Sequence, residues 1–541
     1  MSRDQWWRTA VIYQIYPRSF ADANGDGTGD LAGVRSRLPY LRSLGIDAIW
    51  FTPWYLSPLA DGGYDVADYR VIDPAFGTVE EAELLIAEAA AIGIKTIIDV
   101  VPNHISSEHE WFRTALAAEP GSPERERFWF RGGEELPTDW VSSFSGDTWT
   151  RTKNPDGTPG EWYLHLFTPE QPDLNWNHPD VRREHEDILK FWFDRGVAGI
   201  RIDSATMPVK DPTFPPVGQN EDHPYVDRDA LHEIYRDWRK VADSYDDPRV
   251  LVGEIWLADS ERFARYLRPD EMHTAFNFDL MGRPWDAREL RTSIDSTLAA
   301  HEPVNAPATW VLSNHDVTRP TTRYGREDSS FSFATKRFGV PTDLAKGRRR
   351  ARAAAMLTAA LPGSLYIYQG DELGLPEVED LPLVALQDPI FHRSAGTDPG
   401  RDGCRVPLPW TTTGPSFGFN TQGFTPWLPQ PGDWGSQSVE AQQDDPGSML
   451  SLYRELLARR PRDGEFSWHD LTGADVIAFH RGTEFVCVVN FGADPLQLPT
   501  GTTVLLASSA LVGDQLPTDS AAWLRLSSPP AKAEDPVGER P

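Results

Sequence analysis

The sequence predicts an α/β protein built on a (β/α)8 TIM barrel, with a small inserted domain after the third strand and an antiparallel β-sandwich domain at the C-terminal end. Three observations predict it. Eight short apolar runs recur between Ala10 and Gly374, and amphipathic helical patterns lie between several of them. One connection is far too long for a strand-to-helix loop. Beyond Arg459 the pattern changes to short alternating strands with turns.

The runs are, in order, AVIYQIYPRSF from Ala10, IDAIWFTPW from Ile46, KTIIDVVPNH from Lys95, VAGIRIDSA from Val197, RVLVGEIW from Arg249, TAFNFDL from Thr274, ATWVLSNHD from Ala308 and SLYIYQGDELG from Ser364. Their near-continuous apolar character is that of parallel strands buried on both faces. TVEEAELLIAEAAAI (Thr78 to Ile92) and DALHEIYRDWRKVA (Asp229 to Ala242) carry the helical period between them. A doubly wound open sheet usually has a glycine-rich phosphate loop after its first strand. Here DANGDGTGD follows instead, which favours the barrel. Residues 1–104 and 173–459 are therefore assigned to the barrel. The connection 105–172, rich in Trp, Phe, Pro and Gly, is assigned to an inserted domain overhanging the barrel mouth. The helix GSMLSLYRELLAR (Gly447 to Arg459) closes the barrel portion. VIAFHRG, FVCVVNFG and TTVLLASS mark a separate β domain over 460–528, and residues 529–541 read as a disordered tail.

Composition excludes several function classes. With 81 acidic against 52 basic residues the net charge is −29, which repels polyanions and excludes nucleic acid as a partner. No apolar run reaches the roughly 18 residues of a membrane span, and MSRDQWWRTAVIYQIYP lacks the features of a secretory signal. The expectation is a cytoplasmic protein with no membrane partner, either a monomer or a homodimer. Cys404 and Cys487 are the only cysteines, so no disulfide framework is expected. Twenty Trp in one chain offer surfaces that stack on sugar rings or other flat ligands.

In such a barrel the C-terminal ends of the strands form the active face. Asn103 and His104 end the third strand, Arg201 and Asp203 the fourth, Glu254 the fifth, and His315 and Asp316 the seventh. Any one of these reads equally well as a helix cap or half of an ion pair. Three carboxylates, two histidines and an arginine on one rim read as a site. No nucleophile elbow, phosphate loop or dinucleotide fingerprint is present. Carboxylates beside aromatic surfaces suit glycoside cleavage, in which one acid protonates the leaving oxygen while another carboxylate attacks or screens the oxocarbenium-like carbon. A sugar-binding module would explain the aromatics but not the converging carboxylates.

Five motifs resemble the signature regions of the α-amylase superfamily, glycoside hydrolase family thirteen, in order: DVVPNH (Asp99 to His104), QPDLNW (Gln171 to Trp176), GIRIDSA (Gly199 to Ala205), VGEIW (Val252 to Trp256) and VLSNHD (Val311 to Asp316). The resemblance implies Asp203 as nucleophile, Glu254 as general acid/base and Asp316 as transition-state stabiliser, with retention of anomeric configuration. It implies Arg201 beside Asp203, keeping it ionised, and a Glu254 that begins protonated among its fellow carboxylates. His104, His315, Phe167 and Ser204 would contact the sugar.

YQIYPRSFADANGDGTGDLAG, GGYDVADYRVIDPAFGT, FNFDL, YQGDELGLP and GRDGCRVPLPW look like the exo-acting α-glucosidase branch, in which Tyr64, Asp65 and Arg401 close the pocket around a terminal glucose. Ser204 stands where α-1,6-selective members of the branch tend to have Val and α-1,4-selective members Thr. Its hydroxyl favours α-1,4 linkages. SATMPVKD, including Thr206, departs from the branch's pattern on the leaving-group side.

The expected activity is a retaining exo-α-glucosidase acting on maltose, maltooligosaccharides or sucrose. The alternatives are a transglucosidase or phosphorylase using the same intermediate, and a catalytically inactive carbohydrate-binding protein. No cofactor is expected for catalysis. Asp22, Asn24, Asp26, Thr28 and Asp30 in DANGDGTGD are spaced as oxygen ligands of a structural Ca²⁺ or Mg²⁺ remote from the chemistry.

Overall fold

Each of the eight apolar runs forms a strand: β1 (Val11–Ile15), β2 (Ala48–Phe51), β3 (Lys95–Val100), β4 (Gly199–Ile202), β5 (Val250–Gly253), β6 (Thr274–Ala275), β7 (Thr309–Val311) and β8 (Ser364–Tyr368). The computed structural model describes residues 5–154, 156–218, 222–333 and 339–526. The expected tail 529–541 lies outside them. The strands pair in parallel in the order β6-β5-β4-β3-β2-β1-β8-β7. The edges β6 and β7 meet through the Asn277 N–H donating to Thr309 O at 3.1 Å and a bond between the Thr274 and Thr309 hydroxyls. That contact closes the sheet on itself.

Successive strand residues face opposite sides of the sheet, and the parity is clear. Ile12, Ala48, Trp50, Ile97, Val250, Val252, Val311 and Tyr366 form one core cluster inside the barrel. Val11, Tyr13, Ile49, Phe51, Ile98, Ile200, Ile202, Leu251 and Ile367 belong to a second cluster under the surrounding helices. The helix Val79–Ala91 starts at a capping box of Thr78 and Glu81. Packing between strands is tight enough that a Cβ on Gly199 would lie 2.3 Å from Val250 Cγ1, so β4 starts on the one residue that fits.

Within residues 105–172 a three-stranded antiparallel sheet forms from Phe130–Arg131, Trp149–Lys153 and Pro159–Leu164. Its core of Trp129, Trp140, Trp149, Leu164 and Leu166 also takes in Phe214, so the loop after β4 is bound into the insertion. At its base, His104 and Asp173 form an isolated antiparallel bridge.

The C-terminal sheet contains β9 (Phe466–Trp468), β10 (Val476–Arg481), β11 (Phe485–Asn490), β12 (Thr502–Ala507) and β13 (Ser520–Leu526), in the order β9-β10-β11-β13-β12. A second, two-stranded sheet pairs Leu496–Gln497 with Gln515–Leu516. One face of the larger sheet joins the main core, where Trp523 Nε1 donates to Met356 O of the helix Leu344–Ala360 at 3.1 Å. The other face, with Val486, Val488 and Leu524, packs on Leu498 and Leu516. Both cysteines are buried and unbridged. Among the described residues no helix is long and apolar enough to cross a membrane.

Candidate active site

Parity places the first layer of polar groups. Gln14, two residues beyond Ile12, and Asp99, two beyond Ile97, point into the barrel as those residues do, and on β4 Gly199, Arg201 and Asp203 share that side. Arg201 is 1% exposed and serves three carboxylates. Its Nη1 lies 2.8 Å from Asp99 Oδ1 and 2.6 Å from Asp203 Oδ1, and its Nη2 lies 2.8 Å from Glu254 Oε2. Tyr64 OH at 3.0 Å and Trp50 Nε1 at 3.3 Å also donate to Asp99. Burial raises the Asp99 pKa to about 7 against the pull of Arg201. Burial likewise holds Asp203 well above the usual carboxylate range; Glu254 and Asp99 add to the shift and Arg201 opposes it.

Ser204 turns the chain with φ = 44°, the left-handed region that a residue with a Cβ rarely adopts. This turn aims its N–H at Glu254 Oε2 (2.8 Å), while its hydroxyl donates to Asp203 Oδ2 (3.0 Å). Trp256 Nε1 donates to the other glutamate oxygen, Oε1, at 3.0 Å.

Asp316 has a different setting. Arg401 Nη1 and Arg405 Nη2 approach its Oδ1 at 3.1 and 3.0 Å, and His315 Nε2 lies 3.4 Å from Oδ2. Although burial opposes ionisation, His315, Arg401 and Arg405 hold the Asp316 pKa well below the usual carboxylate range. His315 is fixed by Gln14, whose Nε2 lies 2.7 Å from Nδ1, and by a parallel stack on Tyr64 with centroids 5.2 Å apart. With the amide donating to Nδ1, the ring presents its N–H at Nε2 toward Asp316.

Arg401 is held from three sides: Nε to Asp388 Oδ2 (2.7 Å), Nη2 to Asp61 Oδ1 (2.6 Å), and Phe144 beneath its guanidinium at 4.8 Å. Asp61 accepts from Gln171 Nε2 at 3.1 Å, and the same amide lies 2.9 Å from His104 Nε2. The His104 ring meets Phe167 with centroids 4.9 Å apart. Burial, reinforced by Lys210, lowers the His104 pKa to about 3, so the ring is neutral.

The fold thus brings Asp203, Glu254, Asp316, Tyr64, Arg201, Ser204, His315 and Arg401 into one connected network, with His104 and Phe167 joined to it through Gln171 and Asp61. Asp65 does not face this network. Its carboxylate is fully buried and accepts the N–H groups of Ala60 (2.9 Å) and Asp61 (3.0 Å). The carboxylate beside Arg401 is that of Asp61, four residues earlier, and Asp65 holds the turn that carries it. Sequence reasoning also passed over Asp99, Arg405, Asp388 and Gln14. Asp99 was signalled by its even spacing from Ile97 in KTIIDVVPNH; Asp388 carried no signal.

The loop Asp22–Asp30 lies apart from these groups, with Asp22 N–H donating to Phe419 O. Asp22 accepts the N–H groups of Gly25 and Gly27, and Asp30 those of Ala23, Asn24 and Gly33. Asn24 and Asp26 are exposed and bond to each other. Among the described residues no three His, Cys, Asp or Glu side chains converge as a metal site. A cation would require Asp26 to turn inward, using the free lone pairs on the oxygens of Asp22 and Asp30.

Fold and site together define a glycoside hydrolase on an eight-stranded parallel barrel. Residues 14–468 match the α-amylase catalytic domain. The chain is 36% identical over 496 residues to trehalose-6-phosphate hydrolase of Escherichia coli (strain K12), covering 86% of this chain and 85% of that protein. It is 34% identical over 499 residues to oligo-1,6-glucosidase of Parageobacillus thermoglucosidasius, covering 84% and 83%. Among solved structures, trehalulose synthase MutB from Pseudomonas mesoacidophila MX-45 superposes with a TM-score of 0.83 at 32% identity, over 96% of this chain and 99% of that one. The α-glucosyl transfer enzyme XgtA gives 0.83 at 33%, over 97% and 100%. The chain belongs to the α-amylase family, glycoside hydrolase family thirteen.

Proposed function

We propose that this chain is a retaining exo-α-glucosidase that releases glucose from the non-reducing end of short α-glucosides, with α-1,4 linkages preferred to α-1,6. The observation that carries the exo reading is the buried wall beside Asp316, where Arg401 is clamped between Asp61 and Asp388. A wall of paired charges there closes one end of the cleft, so only a chain terminus is accepted.

In this reading Asp203, aimed by Arg201 and attacking in its ionised form, which Arg201 favours against the upward pull of burial, adds to the anomeric carbon. Glu254 gives its proton to the leaving oxygen, and the glucosyl group becomes esterified to Asp203. Glu254 then takes a proton from water, which displaces Asp203, and the two inversions sum to retention. Asp316 stays ionised throughout and binds ring hydroxyls in the distorted transition state.

The linkage preference rests on the Ser204 hydroxyl, which sits 3.0 Å from Asp203. Initial rates of glucose release from maltose, isomaltose, sucrose and trehalose 6-phosphate test the reading; maltose is expected to be fastest. A second reading, transfer of glucose to another sugar, is favoured by the likeness to the glucosyl-transfer and trehalulose-synthase structures. It would be recognised by new saccharides accumulating in place of free glucose, and would displace the hydrolase reading.

We also propose that the Asp22–Asp30 loop takes up one Ca²⁺ or Mg²⁺ through Asp22, Asn24, Asp26, Asp30 and Thr28. The alternating oxygen donors and the positive φ of Gly25 (80°) and Gly27 (95°) support it. Millimolar Ca²⁺ after chelation is expected to raise Tm by several degrees and leave kcat unchanged. An unmoved Tm would mean that the loop is complete with its own hydrogen bonds.

A further inference from the structure

Glu254 has four lone-pair positions on its two carboxyl oxygens. On Oε2 one position receives the Ser204 N–H at 2.8 Å, and the Arg201 guanidinium, with Nη2 2.8 Å away as an ion pair, sets a positive charge against a proton on that oxygen. On Oε1 one position receives the indole N–H of Trp256 at 3.0 Å. A proton on this carboxyl therefore has one place left, the second lone pair of Oε1, and Trp256 determines which one that is. The other charged groups around Glu254 are Asp203 and Asp99, both held on Arg201.

Trp256 has a second property. With 37% of its surface open it is the most exposed of the described tryptophans, in a chain where Trp50, Trp54, Trp192, Trp310 and Trp523 are almost wholly buried. Its ring lies flat on Phe278, centroids 3.9 Å apart and planes 13° apart, and meets Phe333 edge-on at 4.9 Å. Phe278 is buried, so the indole is backed by a fixed ring. The part of the indole that Phe278 and Phe333 leave open is, among the described residues, a large apolar surface beside an acid.

We propose that Trp256 is a positioning residue for the acid proton of Glu254 and that the same ring is the platform for the leaving group, selecting leaving groups with a flat apolar face, either a sugar ring or an aryl ring. The inference rests on the hydrolase reading above. It adds that the substrate's second half is recognised by stacking, directly beside the atom that must protonate it.

The test compares two α-glucosides with opposite demands on the acid. Methyl α-glucoside departs as an alkoxide unless protonated, whereas p-nitrophenyl α-glucoside departs as a stabilised phenolate. General acid catalysis is worth roughly 10²- to 10⁴-fold, and only the first substrate needs it fully. Trp256→Phe keeps the platform and removes the N–H. It is expected to lower kcat/KM for the methyl glucoside by about tenfold more than for the nitrophenyl glucoside. This ratio does not depend on the fraction of protein that is folded. Trp256→Leu removes the platform as well and is expected to raise KM for maltose several-fold beyond the Phe variant. Should the Phe variant not fold, Phe278→Leu, which removes the ring under the indole, is expected to move the ratio in the same direction. An equal loss on both glucosides overturns the inference while leaving the hydrolase reading intact. A wild-type protein that cleaves neither glucoside overturns both.

Discussion

Asp203→Asn is expected to lower kcat/KM for maltose by about 10⁵-fold or more, the scale on which enzymes lose rate when a covalent nucleophile is removed. The substitution keeps the shape of the side chain. An amide oxygen in place of Oδ1 still accepts from Arg201, so the variant is expected to fold and to retain its far-UV spectrum. What it loses is the ability to form the ester on which double displacement depends. Glucose release followed by chromatography, with the wild-type protein alongside, measures the loss. A residual rate within tenfold of wild type would remove Asp203 from the reaction and with it the retaining mechanism.

The second large effect concerns Arg201. Arg201→Met leaves Asp99, Asp203 and Glu254 in one buried cluster without their shared cation. Removing one member of a buried ionic network costs about 3–5 kcal/mol, because the charges left behind are uncompensated. Activity is expected to fall at least about 10³-fold at neutral pH, since orientation and charge stabilisation are both lost.

The pH dependence has a definite sign. In the native protein Asp99 is already raised to about 7 and Asp203 stands well above the usual range, and loss of the cation raises both further. In the proposed mechanism Asp203 must be ionised to attack, so the acid limb of kcat/KM is expected to move to higher pH. For stability, a carboxyl whose folded pKa exceeds its unfolded value near 3.9 holds a proton that the unfolded chain has released. The fold is then weakened as pH rises from the unfolded value through the folded one. The Tm deficit of the variant is expected to be smallest near pH 5 and to widen by pH 8. A deficit independent of pH would show that the cluster is not what Arg201 neutralises.

How far the sequence foretold these residues depended on whether strand geometry fixed them. The eight barrel strands were legible because strands buried on both faces leave uninterrupted apolar runs, even for β6, which keeps only Thr274 and Ala275 in regular pairing. Arg201 lies within β4, and Asp203 and Glu254 directly follow β4 and β5, where direction is set by parity; His315 and Asp316 stand beyond the end of β7 and were legible from the motif VLSNHD. Asp61 was not. It sits four residues from Asp65 in a loop, and nothing in DGGYD says which carboxylate turns to the backbone and which to Arg401. Arg405 was hidden in the same way behind Arg401 in GRDGCR.

In the C-terminal domain β9 and β13 escaped the reading. FSW is too short to show alternation, and SAAWLRL opens on small residues whose pairing with β11 and β12 is decided by the rest of the sheet. VGEIW displayed Trp256, but the rotation that lays its N–H on Glu254 depends on Phe278, from the segment after β6.

The three-way grip of Arg201 bears on the whole catalytic cycle. In the proposed mechanism the negative charge of the reacting pair resides on Asp203 in the resting enzyme; once the glucosyl ester forms it resides on Glu254; after water attacks it returns. Both carboxyls touch neighbouring nitrogens of one guanidinium. The arginine therefore faces the same total charge at every stage, and the charge that changes hands travels only from one end of its fork to the other. No counter-ion has to enter or leave with each transfer, and each half-reaction ends with the electrostatic setting from which the next one starts.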